Sequence, residues 1–244
     1  MDHGEGGREM ATEEVKQRVT RRAVLVRAAA GGTLLATPLG AALARPSSAR
    51  AAACSESVGD IVSIAAVAEA LATTFYFHGV RGRIATLIEA DDLSYLKAAL
   101  SEEKAHLDLL LGAGAAAPPT TFYFTAATFN DLGTFASTLD ALETAFIGAY
   151  AAAVQRFCDL SQGGLAKLAS RILGVEAEHR VLGRVITGVL PPNNLCLESD
   201  AGFTCVSDAV APLTPFLTAG TGKTAFDLPA AAAIANAAAP FACS

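Results

Sequence analysis

Apolar residues recur every three or four positions along four segments of the chain, which is the spacing of one face of an α-helix. The first segment runs from about residue 58 to 78, with Gly79 and Gly82 as stop signals. The second opens after Asp91-Asp92 as N-cap residues and ends before Gly112. The third begins near Asn130-Asp131, and the fourth follows Gly163-Gly164 and stops before Pro191-Pro192. The pattern therefore predicts four amphipathic helices.

The connections between these segments favour a bundle. The linker between the second and third helices contains Pro118-Pro119 and the aromatic run Phe122-Tyr123-Phe124, and it is long enough to cross the length of a bundle. A tail from residue 191 to 244 carries loop-forming residues and one alanine-rich stretch, 226–239, in which we expect a further helix. We predict an all-α fold: a four-helix bundle over 56–190, with a long crossover between helices 2 and 3, and a C-terminal extension over 191–244.

Composition supports the helical prediction. The chain is 52% hydrophobic but only 7% aromatic, and alanine, the best helix former, is abundant. The formal net charge of −6 comes without any basic stripe, so we do not expect nucleic acid to be a partner.

The N-terminus has the order of an export signal. Thr20-Arg21-Arg22 precedes a weakly apolar stretch, 28–44, and small residues follow at candidate cleavage positions. The adjacent arginines resemble a twin-arginine signal, so we expect export to the cell envelope, the periplasm or the extracellular space. Pro38 and several glycines interrupt the apolar stretch, which argues against a stable membrane span. Residues 1–44, or up to 53, are therefore expected to be removed.

The five cysteines form no C-x-x-C pair, which argues against a thiolate zinc or redox site. Cys196 and Cys205 flank a short loop-like segment and could close a small disulfide ring in an oxidising compartment. Spacing alone does not fix the connectivity.

Candidate chemistry lies in a repeated Glu-x-x-His pattern. Glu103 precedes His106 by three residues, and Glu176 precedes His179 by three. This spacing places each pair on one helix face, and in both cases it is the apolar face. A carboxylate buried without a partner is very unfavourable, so these groups are expected to pair or to bind metal.

The other two helices each place a single glutamate, Glu69 or Glu143, at the equivalent apolar position. Glu69 precedes Glu103 by 34 residues and Glu143 precedes Glu176 by 33, so the sequence has the form of an internal duplication. Tyr76 and Tyr150 each follow their glutamate by seven residues, which is two turns along the same face. They are either core aromatics or hydrogen-bond donors to metal ligands. Glu102, Glu178 and Asp108 are expected to form a solvated face.

One glutamate from each of two helices and a Glu-x-x-His pair from each of the other two resembles the di-iron and di-manganese site of ferritin-like bundles. The surrounding sequence is also similar to the bacterial and fungal ferritin-like family that includes desiccation-related proteins. The resemblance covers roughly residues 56–190. It implies six metal ligands: Glu69, Glu103, His106, Glu143, Glu176 and His179.

Four carboxylates and two neutral imidazoles suit two iron ions or, alternatively, two manganese ions. The resemblance leaves three functions open: oxidation of ferrous iron by O₂ or peroxide, manganese-dependent peroxide disproportionation, and a non-catalytic stress-related role on the same bundle. Metal ions and O₂ or peroxide are the expected partners. Whether the chain turns over a substrate, and whether it assembles into an oligomer, are not readable from the sequence.

Overall fold

The computed structural model of the chain describes residues 54–189, 191–193, 202–241 and 243. The predicted export signal lies outside the described residues. Within them the fold is helical apart from one two-stranded sheet, and the predicted four-helix bundle is confirmed. Its helices are α1 (Val58–Arg81), α2 (Ala90–Gly112), α3 (Leu132–Asp159) and α4 (Gly163–Ile186).

Two of the bundle helices begin at side chains that cap the backbone. Ser57 and Asp60 form a capping box at the start of α1, and Asp131 accepts a 2.8 Å hydrogen bond from the Thr134 amide at the start of α3. The expected caps of α2 were wrong, because that helix starts before both aspartates, at Ala90, with Glu89 as its N-cap. Asp91 and Asp92 instead occupy its first turn, where negative charge suits the helix dipole.

Close approach between helices depends on two glycines. A Cβ atom at Gly79 would lie 2.8 Å from the Phe135 ring, and one at Gly183 would lie 2.6 Å from Leu139. Gly79 was expected to stop α1, but it lies inside the helix and Gly82 is the C-cap. The close contact lets the rings of Phe75 and Phe135 stack with centroids 4.6 Å apart in the core.

The crossover contains a strand that the sequence analysis did not predict. Strand β1 (Thr121–Thr125) pairs antiparallel with β2 (Lys223–Asp227) of the C-terminal extension, with Phe122 opposite Phe226. Alternating burial along β1 turns Phe122 and Phe124 into the core. The extension therefore fastens the crossover by backbone pairing.

The extension also includes helices α5 (Val210–Leu217) and α6 (Ala231–Ala238), the second of which lies in the predicted alanine-rich stretch. A disulfide joins Cys205 to Cys54, whose Cα atoms are 5.6 Å apart. The suggested pairing of Cys205 with Cys196 was wrong. The fold brings Cys205 next to Cys54, which is 151 residues away in the sequence, so the bond does not close a local loop. Cys196 itself lies outside the described residues.

Contacts next to the disulfide hold the extension against the start of the bundle. The Glu56 carboxylate accepts a 2.6 Å hydrogen bond from the Ser207 amide, and the Glu56 carbonyl accepts one of 2.8 Å from the Arg156 guanidinium. Among the described residues, α1 is the one helix long and apolar enough to cross a membrane, and 67% of its most apolar window is buried in the bundle.

Candidate metal centre

The six side chains that the sequence singled out meet in the middle of the bundle. Each of the four bundle helices contributes to the cluster, and no member is more than 6% exposed. Helices α1 and α3 each supply one glutamate, and α2 and α4 each supply a Glu-x-x-His pair. The members are Glu69, Glu103, His106, Glu143, Glu176 and His179.

These side chains form two overlapping groups of potential ligands. Within each group the ligand atoms all lie within 4.8 Å of one another. Both groups contain Glu103 and Glu176, which we call the shared pair. The first group also contains Glu69 and His106, and we call these two residues the His106 half. The second group also contains Glu143 and His179, which we call the His179 half.

Each carboxylate of the shared pair presents one oxygen to each half. Oε1 of Glu103 lies 2.9 Å from Nδ1 of His179, and its Oε2 lies 3.8 Å from Nδ1 of His106. Oε1 of Glu176 lies 3.3 Å from Nδ1 of His106, and its Oε2 lies 3.2 Å from Nδ1 of His179. The shared pair would therefore contribute to both metal positions if two cations were bound.

Several of these buried polar atoms have no hydrogen-bond partner among the described residues. Buried polar groups are normally satisfied, and leaving one unpaired costs about 1–3 kcal/mol. The donor set is chemically that of a hard divalent cation with one imidazole per ion. These residues therefore fit a pair of metal ions. The unpartnered atoms are Oε2 of Glu69, both oxygens of Glu103, Nδ1 of His106, Oε2 of Glu143 and Oε1 of Glu176.

The pKa values of three glutamates and both histidines of the cluster respond to burial and to neighbouring charges. Burial, and then the negative charges of Glu176 and Glu103, raise the pKa of both Glu69 and Glu143. Burial also acts to raise the pKa of Glu103, but contacts with His106 and His179 outweigh it and hold that pKa below its usual value.

The two histidines show the opposite balance. Burial acts to lower the pKa of His106 and of His179, but the surrounding carboxylates outweigh it and raise both. These raised pKa values favour the protonated forms of Glu69, Glu143 and both imidazoles when no metal is bound. Metal ions would displace these protons.

Two tyrosines connect the repeats. The Tyr76 hydroxyl on α1 donates a 2.6 Å hydrogen bond to Oε1 of Glu143 on α3, and the Tyr150 hydroxyl on α3 donates one to Oε1 of Glu69 on α1. Burial and then the carboxylates raise the pKa of both phenols, so each stays protonated as a donor. Each single glutamate is therefore oriented by a tyrosine of the other repeat.

Glu102 was expected on a solvated face, and for this residue the expectation was wrong. Nε2 of His179 donates a 2.8 Å hydrogen bond to Oε2 of Glu102, although the Glu102 side chain remains 37% exposed. Glu178 is exposed, and Asp108 pairs with Lys104 at the surface. The 77-residue separation between Glu102 and His179 leaves no periodic signal, so this contact was not visible in the sequence.

Three polar residues of α1, Thr73, Thr74 and His78, lie outside the ligand groups. The hydroxyl of Thr73 is fully buried and has no hydrogen-bond partner among the described residues, whereas that of Thr74 donates to the Ala70 carbonyl at 2.8 Å. Thr73 follows Glu69 by four residues on the same helix face, a spacing that could have singled it out. His78 belongs to neither group, and its ring lies 4.7 Å from that of Phe226.

A family model described as a ferritin-like domain matches residues 57–188, which is more than half of the chain. No curated protein and no solved structure matches it. The matched region begins one residue before α1 and ends just after α4, so it contains all six members of the buried cluster. With this match, the four-helix bundle and the glutamate–histidine cluster at its centre, the chain belongs to the family of ferritin-like domain proteins.

Proposed function

We propose that this protein binds two iron ions in the buried cluster, with two manganese ions as the alternative, and uses them to oxidise ferrous iron with O₂ or peroxide. The observation that carries the proposal is the pair of overlapping ligand groups, in which five of the eight buried carboxylate oxygens have no hydrogen-bond partner among the described residues. When bound, the two ions supply a redox pair that can pass electrons to a small oxidant. The role would be to store or detoxify iron.

The charge of the cluster supports this proposal. Glu69, Glu143 and the shared pair provide four negative charges when ionised, which balance two divalent cations in a medium of low polarity. Each ion would receive one neutral imidazole, from His106 or from His179. Carboxylate oxygens and imidazole are the ligands that suit iron and manganese.

The surroundings restrict what can reach the cluster. Because none of the six residues is more than 6% exposed, the packed helices keep bulky reductants away from the cluster. The oxidant that the proposal requires is therefore a small molecule, O₂ or peroxide. Tyr76 donates to one oxygen of Glu143 and Tyr150 to one oxygen of Glu69, so the unpartnered second oxygen of each carboxylate would be available to a cation.

Metal analysis of protein purified from its native compartment tests the proposal, followed by anaerobic loading with ferrous iron and measurement of O₂ or peroxide consumption. We expect two ions per chain and iron-dependent consumption of the oxidant, both lost in Glu103→Ala and His179→Ala. Wild-type protein that takes up no metal would refute the proposal. Peroxide breakdown by the manganese-loaded form would identify the disproportionation enzyme instead, and bound metal with neither activity would identify the non-catalytic stress-related role.

We also propose that the mature protein is exported through a twin-arginine-type signal. The Cys54–Cys205 disulfide supports this, because disulfides persist in oxidising compartments. The same bond occupies the sulfur of Cys54, which leaves no thiol there for a lipid anchor. Fractionation of cells expressing the full chain tests this proposal. The wild type should be exported with the disulfide intact, whereas the variant in which Arg21 and Arg22 are replaced by lysine should remain in the cytoplasm. Wild-type protein with a free Cys54 thiol in the cytoplasm would contradict export.

A further inference from the structure

The His179 imidazole is held on both of its nitrogens. Nδ1 faces the shared pair, 2.9 Å from Oε1 of Glu103 and 3.2 Å from Oε2 of Glu176. Nε2 donates a 2.8 Å hydrogen bond to Glu102 on the neighbouring helix α2. With Nε2 bonded to Glu102, Nδ1 is the nitrogen that faces the shared pair, and once a metal ion displaces any proton there it would present its lone pair to that ion.

The His106 imidazole has weaker support. Its Nδ1 lies 3.3 Å from the nearest carboxylate oxygen, on Glu176, and 3.6 Å and 3.8 Å from those of Glu69 and Glu103. The described part of the chain provides no hydrogen bond to its Nε2, and His106 is the most exposed of the six residues, at 6%. Neither the orientation nor the tautomer of this ring is fixed from outside the cluster.

The difference traces to one position of the duplication. Glu102 directly precedes Glu103 of the first Glu-x-x-His pair, and the residue that directly precedes Glu176 of the second is Val175. By the symmetry of the two repeats, Val175 stands where a partner for His106 would be. A valine side chain accepts no hydrogen bond.

We infer that Glu102 is a positioning residue for His179 and that the two metal positions are consequently unequal, with the His179 half binding its ion more tightly. The inference rests on the proposed binding of two ions. A carboxylate on the outer nitrogen of a ligating histidine fixes the ring before metal arrives and makes it a better donor, and removing such a partner typically weakens metal binding by about 10–100-fold. The His106 half then holds the ion that exchanges more readily.

Titration of the metal-free full chain with Co²⁺, followed by calorimetry and visible absorbance, tests the inference. We expect two binding steps in the wild type. Glu102→Ala should weaken the tighter step by about 10–100-fold and leave the weaker step nearly unchanged. Glu102→Gln keeps a neutral acceptor and should restore part of the loss. Glu178→Ala removes an exposed glutamate next to His179 and is the matched control, with no expected change.

A second readout distinguishes positioning from a general loss of structure. In proton NMR spectra of the Co²⁺-loaded wild type, the paramagnetically shifted N–H signal of His179 should exchange slowly with solvent, because Glu102 accepts its hydrogen bond. The corresponding signal of His106 should exchange quickly. Glu102→Ala should make both exchange quickly while the unfolding temperature is retained.

The possible failures are separable. If the wild type binds no Co²⁺, the proposed metal site itself is refuted. If it binds two ions with equal affinity, or if Glu102→Ala and Glu178→Ala behave alike, the inequality is refuted while the metal site stands.

Discussion

The His106 half and the His179 half of the cluster contain the same parts: one single glutamate, one histidine from a Glu-x-x-His pair, and a tyrosine from the other repeat. Their outer surroundings differ, because Glu102 holds Nε2 of His179 and Val175 stands at the corresponding position for His106. The two repeats therefore provide the same candidate ligands, but a single neighbouring residue determines whether the histidine ring is oriented by a hydrogen bond on its outer nitrogen.

The largest effect is expected from removing a proposed ligand that both halves share. Glu176 belongs to both groups and Glu143 to one, so we expect Glu176→Ala to abolish tight binding of both ions and Glu143→Ala to abolish only the ion of the His179 half. Metal content after exhaustive dialysis, measured by mass spectrometry, checks this. Equal metal content in the two variants would show that the two groups do not share a ligand.

Raising the pH should destabilise the metal-free protein. Glu69, Glu143 and both histidines have raised pKa values in the fold, so above the ordinary carboxyl pKa the unfolded chain binds fewer protons than the native one. Stability is therefore lost as pH rises, and the unfolding temperature of the metal-free form should fall between about pH 5 and pH 8.

Metal should reverse that trend, because ions replace the protons and bind best when the ligands are deprotonated. Thermal unfolding with and without Mn²⁺ across this range provides the measurement. A metal-free protein that grows more stable toward pH 8 would show that the carboxylates are not protonated in the fold. The lowered pKa of Glu103 acts in the opposite sense, but only below its ordinary value and thus outside this range.

The smallest expected effects concern the tyrosines. Tyr76→Phe leaves one oxygen of Glu143 without its donor, and Tyr150→Phe does the same to Glu69, so each should lower the free energy of unfolding by about 1–3 kcal/mol. Urea unfolding measures this, with Tyr95→Phe as control, since Tyr95 is 63% exposed and should change by less than about 0.5 kcal/mol. If all three variants matched, the tyrosines would be packing residues alone.

Local periodicity was sufficient to find the four helices and to single out the six side chains of the buried cluster. Glu103 and His106 repeat as Glu176 and His179 on apolar faces, and a charged residue on such a face is conspicuous because burial without a partner is so unfavourable. These six residues could therefore be identified from the spacing within each helix alone.

The remaining features depend on residues distant in sequence. Thr121–Thr125 has the aromatic and β-branched composition of a strand, but its partner lies in the C-terminal extension, with Asp227 opposite Thr121. Cys54 finds Cys205 and Glu102 finds His179 only once the helices have packed. No short-range pattern records such contacts.

The crossed tyrosine bonds carry a consequence for how such a chain could arise. A single ancestral two-helix unit would hold a glutamate and a tyrosine that do not meet each other, since Tyr76 reaches Glu143 and Tyr150 reaches Glu69. Such a unit would need a second copy to satisfy both groups. Joining two copies in one polypeptide would let the two sides differ, as they do at Glu102 and Val175.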